Sequence, residues 1–285
     1  MLKNHLVTKI LCNFIKYHNI MPIWLIILIV IILTFLLVNI VLYFIQDRFI
    51  FYAEKLSKDF QFSFKNEFDE INLKTEDGHI LNGLHFKAKD PKGILLIFHN
   101  HSGNVINMNA TAELFIEYNY DVLLMDYRGY GKSTGNYNEQ SMLEDSKLWY
   151  DYTKKHFSED HITVMGRGIG ATFATYVASK NNPKRLILGS PLFNMNYTVK
   201  FLYPYLPYQL ILKYKFDTAK YITNVNCNIF IFHGIKDKLV KYTNSEKLHE
   251  LTKENSELNI IPDGDHYNMI NNKTVFNRLK EILNN

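Results

Sequence analysis

Cysteine is scarce in this chain. Only Cys12 and Cys227 occur among 285 residues, the first ahead of a long apolar run and the second deep in the globular part. A disulfide framework is therefore not expected. Proline (7) and glycine (13) are too few for a collagen-like or low-complexity chain. No block of like charge stands out: 32 basic residues face 28 acidic ones, a net +4, so a nucleic-acid partner is not expected. Hydrophobic residues make up 47% and charged ones 21%, which excludes wholesale disorder. The length allows one α/β domain, or two small ones.

Charge is wholly absent from one stretch. Residues 1–19 carry Lys3, Lys9 and Lys16 and no acid, and residues 20–45 (IMPIWLIILIVIILTFLLVNIVLYFI) carry no charge at all. As a helix, that run extends beyond the roughly 30 Å hydrocarbon core of a bilayer. Trp24 and Tyr43 near its ends suit the two interfaces. A cleaved signal peptide is the rival reading, but the run is too long for one and no small-residue cleavage site follows. A lipoprotein signal at Cys12 fails, because Leu11 precedes it. A retained single-pass anchor is expected, with residues 1–19 as a basic tail and 46–67 as a linker. Lys3, Lys9 and Lys16 are balanced by Arg48, Lys55 and Lys58 beyond the span, so the positive-inside count ties. The short basic tail leans towards a globular domain outside the cytoplasm.

From residue 68 to 285 the pattern is that of one α/β domain. Segments 70–75 and 79–88 alternate around Asp77-Gly78, a hairpin signal. Short apolar runs then follow at 93–99, 121–127, 161–166, 185–190, 227–233 and 257–262. Helix-length segments near 107–119, 141–156, 169–181, 242–255 and 268–283 separate them, except across one gap. Strands apolar on both faces and separated by helices predict a mostly parallel sheet covered on both sides. The gap is residues 191–222, which are aromatic, carry Pro204 and Pro207 and hold no acid before Asp217. It reads either as a helical excursion packed on the domain or as a lid over a pocket for an apolar substrate, with Lys200, Lys213 and Lys215 suited to a lipid surface.

Ligands of such sheets gather at the carboxyl ends of the strands. Those ends carry His99-Asn100-His101-Ser102-Gly103-Asn104, then Asp126-Tyr127-Arg128-Gly129-Tyr130-Gly131-Lys132-Ser133-Thr134-Gly135, then Gly166-Arg167-Gly168-Ile169-Gly170, then His233-Gly234-Ile235-Lys236-Asp237, and finally Gly264-Asp265-His266. In order and in kind this set resembles the α/β-hydrolase superfamily over roughly residues 68–283. Within it, the set is similar to the membrane-anchored branch of abhydrolase-type depalmitoylases and serine-aminopeptidase-like proteins, whose motifs read HGNAGN, DYRGYGKSTG, GRSLGG, HGxxDxxV and GGDH. The 191–222 segment is similar to the cap of that branch. The resemblance implies acyl hydrolysis of an ester, thioester or amide without metal or organic cofactor. It makes Asp237 the acid and His266 the base of a triad, in the chain order of this fold. It implies an oxyanion hole from the N–H groups of Ile169 and His101.

One departure dominates. The nucleophile elbow should read G-x-S-x-G, and the serine position is Gly168. Glycine tolerates the sharp strand-to-helix turn, so the turn should survive without its attacking oxygen. A second departure is Asn100 where the family has glycine; asparagine also visits left-handed conformations.

Three decoys carry less. Gly131-Lys132-Ser133 suggests a P-loop, but the first glycine of that motif would fall on Asp126; Asp126 and Arg128 are expected to tie strand ends together instead. Gly166-x-Gly168-x-x-Ala171 suggests a dinucleotide turn, but no Asp or Glu lies between Asp160 and Asp217 to hold a ribose. His99-x-His101 lacks further metal ligands nearby. The expectation is a membrane-attached, catalytically deficient relative of serine hydrolases that binds an acyl or lipid-like molecule, or a protein. Alternatives are an active acyl hydrolase whose native residue 168 is serine, a glycine-bearing enzyme in which His266 and Asp237 activate a water or Ser102 attacks, and a structural protein without a pocket.

Overall fold

The computed structural model describes residues 21–267 and 272–284, so the basic tail with Cys12 lies outside the described residues. The chain divides after Ile45. The first unit is helix α1 (Ile23–Ile45), with no charged residue and no buried one. At roughly 1.5 Å per residue it reaches the ~30 Å of a hydrocarbon core, so it is long and apolar enough to cross a membrane. Its one amide side chain is satisfied internally, Asn39 Nδ2 donating to Phe35 O at 2.7 Å.

The second unit begins with a single turn, α2 (Asp47–Ile50), and a two-residue strand, β1 (Tyr52–Ala53). There follow β2 (Phe68–Lys74), β3 (Ile80–Phe86), β4 (Ile94–Phe98), β5 (Ser102–Gly103), α3 (Asn109–Glu117), β6 (Asp121–Met125), α4 (Glu139–Lys154), β7 (Ile162–Arg167) and α5 (Gly170–Ala178). Next come β8 (Arg185–Gly189), α6 (Met195–Leu202), α7 (Tyr208–Ile211), α8 (Thr218–Ile222), β9 (Asn228–Gly234), α9 (Thr243–Leu251), β10 (Ser256–Ile261) and α10 (Lys273–Asn284). Eight strands form one sheet in the order β10-β9-β8-β7-β4-β6-β3-β2. The six strands from β10 to β6 run parallel, and β3 runs antiparallel to both of its neighbours, β6 and β2. The β2–β3 hairpin closes through Thr75, whose N–H donates to His79 O at 2.9 Å.

The period of two explains why both faces must be covered. Along β4, Ile94, Leu96 and Phe98 enter one apolar cluster with Trp149 of α4 and Phe173 of α5. Leu95 and Ile97 enter the other, with Phe115 of α3 and Leu279 of α10. Every residue of β4 is buried. Each large aliphatic side chain so placed contributes about 1.5–3 kcal/mol of burial free energy.

Residues 46–67, read above as a linker, pack on the domain. Phe51 is buried and stacks on Tyr137. Strand β1 pairs in parallel with β5, Tyr52 opposite Ser102. The Gln46 side chain donates to Ile211 O at 2.9 Å and accepts from Lys213 N–H at 2.9 Å. The 191–222 segment forms the three short helices α6, α7 and α8. Its base is fixed by Glu139, which accepts from the N–H groups of Lys215 and Phe216 at 2.6 and 2.8 Å. Its tip is apolar and open, with Phe201, Tyr203, Tyr205 and Leu210 exposed.

Candidate active site

The turn from β7 into α5 carries three glycines, and they are not equivalent. A Cβ on Gly166 would stand 2.3 Å from Gly170 O; one on Gly170 would stand 2.2 Å from Phe98 O and 2.4 Å from His99 O. No side chain fits at either position. Gly168 is different. Its φ is +55°, the left-handed region, yet a Cβ there would meet Asn100 Cβ at 3.5 Å and His266 Nε2 at 3.8 Å, ordinary contact distances. A hydroxyl on that Cβ can be turned to within hydrogen-bonding reach of Nε2. The left-handed backbone costs a non-glycine residue roughly 1–2 kcal/mol. Packing therefore compels Gly166 and Gly170 but leaves room at 168.

His266 faces this room. Its Nδ1 lies 2.8 Å from Asp237 Oδ2, which makes Nδ1 the protonated nitrogen of the neutral ring. Its Nε2 is buried and has no hydrogen-bond partner among the described residues. Asp237 sits in the turn after β9, where its Oδ1 accepts from the N–H groups of Leu239 and Val240 at 2.9 and 2.8 Å. Burial works against its ionisation. Hydrogen bonds from His233 and His266, the charge of His266 and the Val240 N–H outweigh that and hold the carboxyl well below the usual range.

The loop after β4 closes the site from the other side. Tyr127 donates to His99 O and Tyr130 to His101 O, each at 2.7 Å, and Tyr52 N–H also donates to His101 O, at 2.9 Å. These bonds occupy the carbonyls. Among the described residues no acceptor is bonded to the N–H of His101 or of Ile169, and Ile169 immediately precedes α5, where the helix dipole favours negative charge. Burial, helped by the charges of His266, Arg167 and His99, pushes the His101 imidazole down to about 4.

One expectation about this loop needs correcting. Asn100 does not adopt a left-handed backbone. Instead its Oδ1 accepts from Ser102 N–H and Ser102 Oγ, both at 3.3 Å, so the side chain spans the turn itself. Ser102, considered above as a substitute nucleophile, is thus bonded to Asn100. His99 is a structural residue: Nδ1 contacts Asn100 O at 2.7 Å and Nε2 faces Asp126 at 3.5 Å. The P-loop decoy resolves the same way. Lys132 pairs with Glu70 at 2.8 Å, and Ser133 donates to Asp126 O at 2.9 Å. Arg128 is buried and forks onto Asp145 at 2.5 and 2.9 Å while also holding Asp77.

Two contributors were not legible in the sequence. Arg167, between the first two elbow glycines, sends its guanidinium to His266 O and so pins the loop that carries the imidazole. The segment 52–55 braces the oxyanion loop through β1–β5 pairing and Asn104 Nδ2, which donates to Glu54 O at 3.1 Å. An arginine at a free motif position and a two-residue strand leave no pattern to read.

The sheet order, the elbow after β7, and the acid and base after β9 and β10 define an α/β-hydrolase fold. Residues 89–220 match the family described as serine aminopeptidase, S33. An uncharacterized protein of Acanthamoeba polyphaga mimivirus is 28% identical over 224 residues, covering 70% of this chain and 75% of its own. Protein bem46 of Schizosaccharomyces pombe is 31% identical over 150 residues, half of each chain. Among solved structures, the Pyrococcus furiosus esterase Pf2001 superposes with a TM-score of 0.68 at 22% identity, covering 82% of this chain and 98% of that one. The chain thus has the α/β-hydrolase fold, and its residues 89–220 are similar to serine hydrolases.

Proposed function

We propose that this chain is a membrane-anchored α/β-hydrolase relative that holds an acyl or lipid-like ligand at its former catalytic centre and lacks covalent serine catalysis. The observation that carries the reading is His266 Nε2, buried and without a partner among the described residues, facing the bare Cα of Gly168. In a serine hydrolase that nitrogen takes the proton of the attacking hydroxyl while the oxygen bonds to the acyl carbon. Here the base, its aspartate and the two free N–H groups persist without the oxygen. The charge-free α1 supports the anchor, and the short basic tail leans towards a domain outside the cytoplasm. The exposed aromatics of the 191–222 segment suit an apolar ligand or a lipid surface.

The space beside Gly168 also favours a second reading. A water there could give a proton to His266 Nε2 and attack the acyl carbon directly, with Asp237 orienting the ring.

The test is hydrolysis of short- and long-chain p-nitrophenyl esters by the full chain in detergent. In subtilisin, loss of the nucleophile lowers kcat by about 10⁶, with residual catalysis from the oxyanion hole and binding. The native chain should therefore be near background, and Gly168→Ser should gain at least about 10²-fold. That gain should vanish when His266→Ala is added. Native turnover in the ordinary enzyme range, above about 1 s⁻¹, would overturn the first reading. If that turnover also disappears in His266→Ala, the water route replaces it.

A further inference from the structure

Arg185 opens β8 at the amino end of the sheet, away from the site just described. It is only 4% exposed, yet its side chain makes no hydrogen bond or ion pair among the described residues, and its Nη2 is buried with no partner there. A buried charge left unpaired is strongly unfavourable. Its neighbour Lys184 adds a second positive charge. The Lys184 backbone N–H is bonded to Glu159 O and Ile162 O, but its ammonium has no acid within ion-pair distance among the described residues. Burial lowers the affinity of both side chains for their protons, and at Lys184 the adjacent Arg185 charge adds to the effect.

These two residues share the wall of a cavity of about 250 Å³ with Asn228, Phe230, Arg278 and Ile282. Asn228 is the first residue of β9 and pairs with Arg185 across the ladder, so the two side chains leave the same face of the sheet. Arg278 differs from the other two cations. It is neutralised by Glu257 at 2.6 and 2.9 Å and by Glu281 at 2.6 Å. The cavity therefore presents two positive charges without an ion-pair partner among the described residues, one of them buried and forked, and an amide.

We propose that this cavity binds a phosphate group. A carboxylate would balance only one of the two charges, whereas a phosphate monoester carries about −1.5 to −2 at neutral pH and offers three acceptor oxygens. The planar guanidinium of Arg185 takes two of those oxygens side by side, and Lys184 acts as the second point charge. The ligand is free phosphate or a small organic phosphomonoester.

The test is the thermal unfolding midpoint of the full chain in detergent, with inorganic phosphate exchanged for chloride at constant ionic strength. The midpoint should climb with the logarithm of phosphate concentration, as for any ligand that binds only the folded state. Arg185→Met should abolish the climb and raise the midpoint in phosphate-free buffer, because an apolar side chain replaces an unpaired buried charge. Lys184→Gln, on the exposed side, should keep the fold and shift the response to at least fivefold higher phosphate, on the order expected for one lost charge contact. Glycerol phosphate acting at lower concentration than inorganic phosphate identifies an organic ester as the ligand; equal potency identifies free phosphate. No midpoint change with phosphate in the native chain, or an undiminished change in both variants, overturns the proposal.

Discussion

The elbow and the two loops that face it have been treated differently. On the loops nothing is missing: Asp237 receives two backbone N–H bonds and His266 Nδ1, and Arg167 anchors the His266 carbonyl. On the elbow the backbone is equally well determined, since Gly166 and Gly170 lie against carbonyl oxygens that admit no Cβ. Position 168 has no side chain although there is room for one. The geometry of the acid–base pair therefore does not depend on a nucleophile. It is built from backbone turns, and it stands whether or not an oxygen occupies the position between them.

The contrast within the elbow gives the largest expected effect. Gly170→Ala should destabilise the fold by about 3 kcal/mol or more, because a new methyl meets two backbone carbonyls that cannot move aside. Gly168→Ala should lose only about 1–2 kcal/mol, the left-handed backbone penalty alone. Urea unfolding of both variants checks this, and equal losses would break the distinction between compelled and uncompelled glycines.

The facing loops give the next. Asp237→Ala removes the acceptor of two backbone N–H groups and of His266 Nδ1, so a loss of about 2–3 kcal/mol is expected at neutral pH. Because the folded carboxyl titrates below its unfolded value of about 3.9, the stability it provides is complete above that value and fades as pH falls below it. The gap between native and variant should accordingly narrow below about pH 4. A pH-independent gap would show that the carboxylate is not held as described.

His101 gives an effect that is absent at neutral pH and grows only in mild acid. Its folded imidazole titrates near 4 against 6.5 for the free group, so the unfolded chain takes up the proton first. The fold should be steady above about pH 6.5 and lose stability between there and pH 4, by at most about 1.4 kcal/mol per pH unit. His101→Gln should flatten that slope in denaturant titrations. An unchanged slope would place the imidazole in water.

Much of this architecture was legible before the coordinates. The six parallel strands fall within two residues of the six apolar runs, and β2 and β3 within two residues of the alternating segments around Asp77-Gly78. The pairing of Asp237 with His266 was legible because each follows a strand end in motif order. What stayed hidden depends on pairing across long separations. Strand β1 meets β5 fifty residues on with two residues each, too few for any periodicity. The bond from Arg167 to His266 spans 99 residues and rests on a position the motif leaves free. Asn100 was misjudged because its amide, rather than its backbone, makes the turn. Arg185 was unremarkable as a sequence letter, since only folding shows whether a buried arginine finds an acid.

The most direct measurement is covalent labelling by a fluorophosphonate probe, with the modified residue located by mass spectrometry. The native chain should remain unlabelled. Gly168→Ser should be labelled at position 168, and adding His266→Ala should remove the label. A folded Gly168→Ser protein that stays unlabelled, or a native chain that labels at Ser102, would contradict the claim that a complete acid–base pair and oxyanion site surround position 168.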